Sequence, residues 1–139
     1  MYQHILLAAD GSNNALRAAT EASKIAKLAK DSHVTIVYVA DFEKAKTENL
    51  HASSAESLYV ERRQKLANIE AIFREAAVAY KLEILRGNPG PEIIKFANDK
   101  AVDLVVVGSR GLNSLQEMVL GSVSHKVMKH VNCPALVVK

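Results

Sequence analysis

The residues of this sequence best suited to chemistry are glycines and serines: Gly108-Ser109-Arg110-Gly111, followed nine residues later by Gly121-Ser122. Glycine carries no Cβ, so a backbone built from it approaches an anion closely and reaches positive φ, and successive N–H groups can converge on phosphate oxygens. Gly121-Ser122 stands where a helix would begin, and the unpaired N–H groups and partial positive charge of a helix start favour the same ligand. Ser109 and Ser122 add hydroxyl donors, and Arg110 is the nearest cation, with a guanidinium shaped to pair with phosphate oxygens. Gly108 on its own also suits the sharp turn after a buried strand, and Gly121-Ser122 on its own a helix cap. It is their clustering at one strand end and one helix start that points to a phosphate.

What the sequence lacks narrows the chemistry. It contains neither the G-x-x-x-x-G-K-[ST] loop of P-loop nucleotide hydrolases nor the G-x-G-x-x-G dinucleotide fingerprint, so no machinery for fast hydrolysis is visible. His4, His33, His51, His125 and His130 show no metal-ligand spacing; His125 and His130 are five apart, off the four-residue step that shares a helix face. The single cysteine, Cys133, precedes Pro134 and has no motif that would activate it. It permits neither an intrachain disulfide nor a cysteine zinc site, in keeping with a reducing compartment.

The elements that must position these residues are legible in the alternation between strand-like and helix-like spacing of apolar residues. Ile5-Leu6-Leu7-Ala8-Ala9, ended by Asp10-Gly11-Ser12, predicts a strand buried on both faces. Ala15, Ala18, Ala22, Ile25 and Ala29 predict a helix capped by Ser12 or Asn13 and running to about Lys30, and His33 to Val39 predicts a second strand. The polar stretch from Asp41 to Ser53 has no period and is the one candidate for mobility. From near Ser54 a long helix carries the stripe Leu66, Ile69, Phe73, Ala76 and Tyr80. Lys81 to Arg86 reads as a third strand, and Gly87-Asn88-Pro89-Gly90-Pro91 as a loop and first turn leading to a short helix with Ile93, Ile94 and Ala97. Asp103 to Val107 is the fourth strand. Past a loop from Gly108 to Ser122 come a helix with Val123, Val127 and Val131 and a last strand, Ala135–Val138.

The order βαβαβαβαβ predicts an α/β domain whose parallel sheet is covered on both faces through right-handed crossovers. Ligands of such sheets bind outside the carboxyl ends of the strands, where strand order reverses. If the first and fourth strands are neighbours, Asp10-Gly11-Ser12 and the glycine cluster face one crevice.

Composition agrees with one folded domain spanning residues 1–139: 49% of residues are hydrophobic and 24% charged, which excludes disorder, collagen-like repeats and a fibrous coiled coil. The net charge of +3 sits in the second half of the chain and forms no dense Lys/Arg run, so no nucleic-acid partner is expected. The apolar stretch at the amino end stops after five residues at Asp10, too short for a signal peptide, and no run approaches the roughly 20 residues that span a bilayer. A cytoplasmic protein without a membrane partner is expected.

The spacing Gly108-x2-Gly111-x9-Gly121-Ser122 resembles the nucleotide-binding signature of the universal stress protein family, G-x2-G-x9-G-[ST], with every fixed position filled. The resemblance covers the whole chain: Ile5-Leu6-Leu7-Ala8-Ala9-Asp10-Gly11-Ser12 is similar to the family's opening strand and acidic turn, and Val37-Tyr38-Val39 to its second strand end. Gly87-x-Pro89-x-x-Glu92-Ile93 is similar to its middle turn and Pro134-Ala135-Leu136-Val137-Val138 to its closing strand. The resemblance implies an open, Rossmann-like five-stranded sheet ordered 3-2-1-4-5 that binds ATP, with Mg or Mn held mainly by the triphosphate and water. It places Asp10 beside the adenosine portion, since a carboxylate beside triphosphate would repel it, although Asp10 also suits a cap on the turn. It places the Val39 backbone at the adenine edge. Gly108, Gly111, Gly121 and Ser122 take the phosphate and ribose contacts; Ser109 and Arg110 lie within that loop without being fixed by the signature. It further implies a homodimer in which two copies cover each other's last strand, Ala135–Val138. The expected role is a nucleotide-dependent regulatory or stress-response module with at most slow hydrolysis. The alternatives are a nucleotide-free dimeric adaptor and an adenylyl-transferring or ATP-cleaving enzyme; the latter would need paired histidines where this chain has Asn13-Asn14.

Overall fold

A computed structural model describes residues 2–10, 12–40, 55–109 and 121–139. The stretch from Asp41 to Ser53 lies outside the described residues. Within them stand five strands and four helices: β1 (His4–Ala9), α1 (Asn13–Ala26), β2 (His33–Ala40), α2 (Ala55–Glu75), β3 (Ala79–Arg86), α3 (Pro89–Asp99), β4 (Leu104–Gly108), α4 (Ser122–His130) and β5 (Ala135–Val138). The sheet runs β3-β2-β1-β4-β5 and every pairing is parallel. None of the helices is long and apolar enough to cross a membrane among the described residues.

The unbroken apolar run of β1 has a direct cause. As the middle strand it is covered on both faces, so alternation would bury a polar side chain. Ile5, Leu7 and Ala9 face one layer, with Ile36 of β2, Val106 of β4, the alanines of α1, and Leu66, Ile69 and Phe73 of α2. Leu6 and Ala8 face the other, with Val37, Val39, Val105 and Val107, Ile93 and Ala97 of α3, and Val127 of α4. Each fully buried large side chain here contributes about 1.5–3 kcal/mol of transfer free energy. Buried Ala15, Ala18, Ala19, Ala22 and Ala26 let α1 lie close to the sheet.

The helix ends depart from the sequence expectation. α1 stops at Ala26 and not near Lys30: beyond it Leu28 is 67% exposed and Ala29 only half-buried, so no large apolar side chain holds the helix to the sheet. Ser32 then donates its hydroxyl to the Tyr2 carbonyl at 2.6 Å and leads the chain into β2. Tyr80 belongs to β3, not to the long helix. Ala77 adopts a positive φ of 56°, which ends the helical path after Glu75. Tyr80 therefore reaches Phe73 from the neighbouring strand, with ring centroids 6.0 Å apart. Val131 likewise stands past the end of α4, with extended backbone.

At the amino end of the sheet, the Asp103 carboxylate accepts the N–H groups of Gln3 (3.1 Å) and His4 (2.8 Å), fastening the start of β1 to β4. The His4 ring stacks on His33 with centroids 4.5 Å apart, and its Nε2 lies 2.9 Å from the hydroxyl of buried Thr35.

Candidate functional site

The carboxyl ends of the strands open between β1 and β4. Their pairing covers Ile5↔Leu104, Leu6↔Val105 and Leu7↔Val106. Beyond it β1 continues to Ala9 and β4 to Gly108 without a partner in each other. The helix that follows β1, α1, packs in one layer and the helix that follows β4, α4, in the other. This is the geometry of a topological switch point.

On the β1 side, the Asp10 carboxylate accepts the Ser12 N–H at 2.9 Å, and the Ser12 hydroxyl accepts the Ala15 N–H at 3.1 Å. The two bonds stand between the end of β1 at Ala9 and the start of α1 at Asn13. Asp10 stays exposed, and a carboxylate with one acceptor site used retains others for a ligand.

Val39 presents its main chain. His33 donates its N–H to Gln3 across the β1–β2 seam at 2.8 Å, whereas Ala40 accepts the Gly87 N–H across the β2–β3 seam at 3.0 Å. Main-chain groups of a strand alternate sides with a period of two, so the Val39 carbonyl faces the β1 side. β1 ends at Ala9, opposite Tyr38, and that carbonyl is therefore directed past the end of β1. The Val39 side chain is buried in the layer of α3 and α4. Gly87, at φ +133°, turns the chain out of β3 toward α3 while its N–H is held by Ala40; few side chains adopt this conformation.

On the β4 side, Gly108 is needed for close packing. A Cβ there would stand 2.9 Å from the Cβ of Asn14 and 3.1 Å from its carbonyl carbon, so the first turn of α1 rests directly on the end of β4. Ser109 is buried; its N–H donates to the Val138 carbonyl at 2.8 Å and its carbonyl accepts the Gly121 N–H at 2.8 Å. These two amides are thus occupied by carbonyls. Gly121 caps α4 at φ −63°, an angle open to any residue, so its glycine is not explained by a special conformation. Ser122 is exposed at the first helical position. The first bond of α4 runs from His125 N–H to the Gly121 carbonyl, which leaves the N–H groups of Ser122, Val123 and Ser124 without an acceptor inside the helix. Arg110 and Gly111 lie outside the described residues.

The structure therefore brings Asp10, Val39, Gly108, Ser109, Gly121 and Ser122 to the carboxyl ends of adjacent strands, and among the described residues the open donors of the β4 side are those of the first turn of α4. Two residues of this end escaped the sequence reading. Asn14 was hidden because its contact with Gly108 joins distant parts of the chain. Ser124, whose hydroxyl meets Ser109, had one local signal: a second serine in the first turn after Gly121-Ser122. No three His, Cys, Asp or Glu side chains gather as metal ligands among the described residues.

Comparison with known proteins gives the arrangement a context. Residues 1–139 match the sequence profile of the Universal stress protein family. Universal stress protein MJ0531 of Methanocaldococcus jannaschii is 37% identical over 142 residues, covering 100% of this chain and 83% of that protein. The solved structure of protein MJ0577, from the same organism, superposes with a TM-score of 0.84 at 34% identity, covering 100% of this chain and 96% of that one. A universal stress protein solved in complex with cAMP superposes with a TM-score of 0.69 at 25% identity, covering 99% and 96%.

Proposed function

Because this chain belongs to the universal stress protein family, we propose that the crevice between β1 and β4 binds ATP and that the bound nucleotide selects a conformation or assembly read by a partner. The observation that carries this is the meeting, at one switch point, of the open first turn of α4 with an exposed carboxylate at Asp10 and a main-chain edge at Val39. Helix N–H groups suit phosphates, and a strand carbonyl suits the amino group of adenine. The cAMP complex of a family member supports an adenine ligand. Arg110 and Gly111 complete the phosphate loop in this reading.

A divalent cation, Mg or Mn, accompanies the triphosphate and is held by phosphate oxygens and water, since no three His, Cys, Asp or Glu side chains gather to hold it among the described residues. Any turnover is slow. Asp10 stands on the β1 side of the crevice, across from the α4 turn that receives the phosphates. The test is mass spectrometry of small molecules released from gently purified protein, followed by titration with ATP, ADP and AMP. ATP found with negligible turnover supports the proposal; no adenine nucleotide bound at millimolar concentration overturns it.

The same reading makes the protein a cytoplasmic homodimer. β5 is an edge strand of Ala135, Leu136, Val137 and Val138 without a charge, whereas the opposite edge, β3, carries Lys81, Glu83 and Arg86. Charged edges resist pairing and apolar ones invite it. That contrast also favours, as a second reading, a dimeric adaptor that works without nucleotide.

A further inference from the structure

We propose that Ser124 is a positioning residue of the crevice, its buried hydroxyl fixing the Ser109 carbonyl against the first turn of α4 and so setting where the open N–H groups of that turn stand. The inference rests on the nucleotide reading above and deepens it. Ser109 and Gly121 are separated by eleven residues of chain, yet the Gly121 N–H donates to the Ser109 carbonyl at 2.8 Å. The Ser124 hydroxyl lies 2.9 Å from that same carbonyl oxygen and 3.1 Å from the Gly121 carbonyl. A hydroxyl has one hydrogen, so Ser124 shares it between the two acceptors. Ser109 is held from its other side by the bond from its N–H to Val138 at 2.8 Å. The carbonyl is therefore gripped from two directions, and β5, β4 and α4 meet through one residue.

Ser124 is 3% exposed, so it acts through Ser109 and Gly121 and not by touching a ligand. Its own N–H belongs to the turn being oriented, together with those of Ser122 and Val123. Hydrogen bonds from such groups to an anion weaken steeply as their angle departs from linearity, so a small rotation of the turn is felt by phosphates. Adenine, expected beside Asp10 and Val39, is held by strands that this clasp does not touch. A phosphate-specific defect thus distinguishes positioning from a loss of folding.

The experiment measures ATP and adenosine binding by calorimetry on the full chain for wild type, Ser124→Ala and Ser124→Thr, with amide hydrogen exchange at Gly121. Ser124→Ala is expected to weaken ATP about tenfold, the effect of one good hydrogen bond. Adenosine should change by less than about twofold, Gly121 should exchange faster, and threonine, which keeps the hydroxyl, should restore ATP affinity. Equal losses for ATP and adenosine, an unchanged ATP affinity in Ser124→Ala, or failure of threonine to restore it would each overturn the inference while leaving the nucleotide reading intact. A wild type that binds no ATP overturns both.

Discussion

Gly108 and Asn14 touch so closely that the backbone of the first turn of α1 sits where a Cβ on Gly108 would be, 3.1 Å from the Asn14 carbonyl carbon and 3.2 Å from its oxygen. Two segments ninety-odd residues apart therefore fix each other at the mouth of the crevice. Gly108→Ala is expected to destabilise the protein by about 1–3 kcal/mol, the range for forcing a methyl into a packed site against a backbone that cannot swing away. Urea unfolding measures it; a midpoint equal to wild type would show that the contact yields.

Gly121→Val asks a different question. The φ of −63° accepts valine, so stability should fall by no more than about 1 kcal/mol, the range of a poorer cap. The added side chain stands at the start of α4, and ATP affinity should fall by about tenfold to a hundredfold, as expected when charge-assisted bonds are lost. Calorimetry beside a thermal melt separates the two effects, and intact affinity would move the phosphate site elsewhere.

Asp10 combines a structural bond with a proposed ligand contact, and two substitutions part them. Asparagine keeps an oxygen for the Ser12 N–H, so Asp10→Asn should unfold within about 0.5 kcal/mol of wild type, whereas Asp10→Ala should lose about 1 kcal/mol. Nucleotide affinity measured on the asparagine variant then reports the carboxylate's part in binding. If alanine and asparagine have the same stability, the turn does not depend on the bond.

His4 sets an acid limit at the far end of the sheet. Burial holds its pKa below the ordinary 6.5, the nearby charges of His33 and Lys81 push the same way, and Asp103 opposes them. The unfolded chain thus takes up a proton more readily than the folded one. The stability that neutral His4 contributes is complete above pH 6.5 and is lost as the pH falls below it toward the folded pKa. Denaturant midpoints of wild type and His4→Gln across pH 5 to 8, about the range in which histidine titrates, should diverge toward neutral pH and converge toward acid. Parallel curves would remove His4 from the account.

Val137→Pro tests the edge. The Val138 carbonyl faces β4, so the Val137 N–H faces the free edge; proline removes that edge donor, and light scattering at micromolar concentration should show a dimer for wild type and a monomer for the variant. A wild type already monomeric under those conditions would refute pairing through this strand.

Strand identity was legible because burial on two faces leaves runs such as Ile5 to Ala9 and Leu104 to Val107 with no polar interruption, whereas the sheet order came from the family resemblance and not from those runs. Helix ends were less legible. Tyr80 fits the three-and-four spacing of Phe73 and Ala76, and only the reversal at Ala77 reveals that it lies in a strand. At the crevice, the glycine spacing pointed to the end of β4 but did not give the reason for each glycine. The clash that excludes a side chain at Gly108 comes from Asn14, a partner that local pattern cannot disclose. Likewise, a sequence shows that Ser109 and Gly121 have N–H groups, but not that each is already engaged by a carbonyl.

The clamp of Asp103 on His4, ninety-nine positions away, has a consequence for biosynthesis. The strand at the heart of the sheet precedes the other four in the chain, yet one of its two flanks stays bare until β4 has been made. Such late closure slows folding and leaves an apolar ribbon uncovered in the nascent chain. Chaperone demand should therefore concentrate on β1 in the interval before β4 is made.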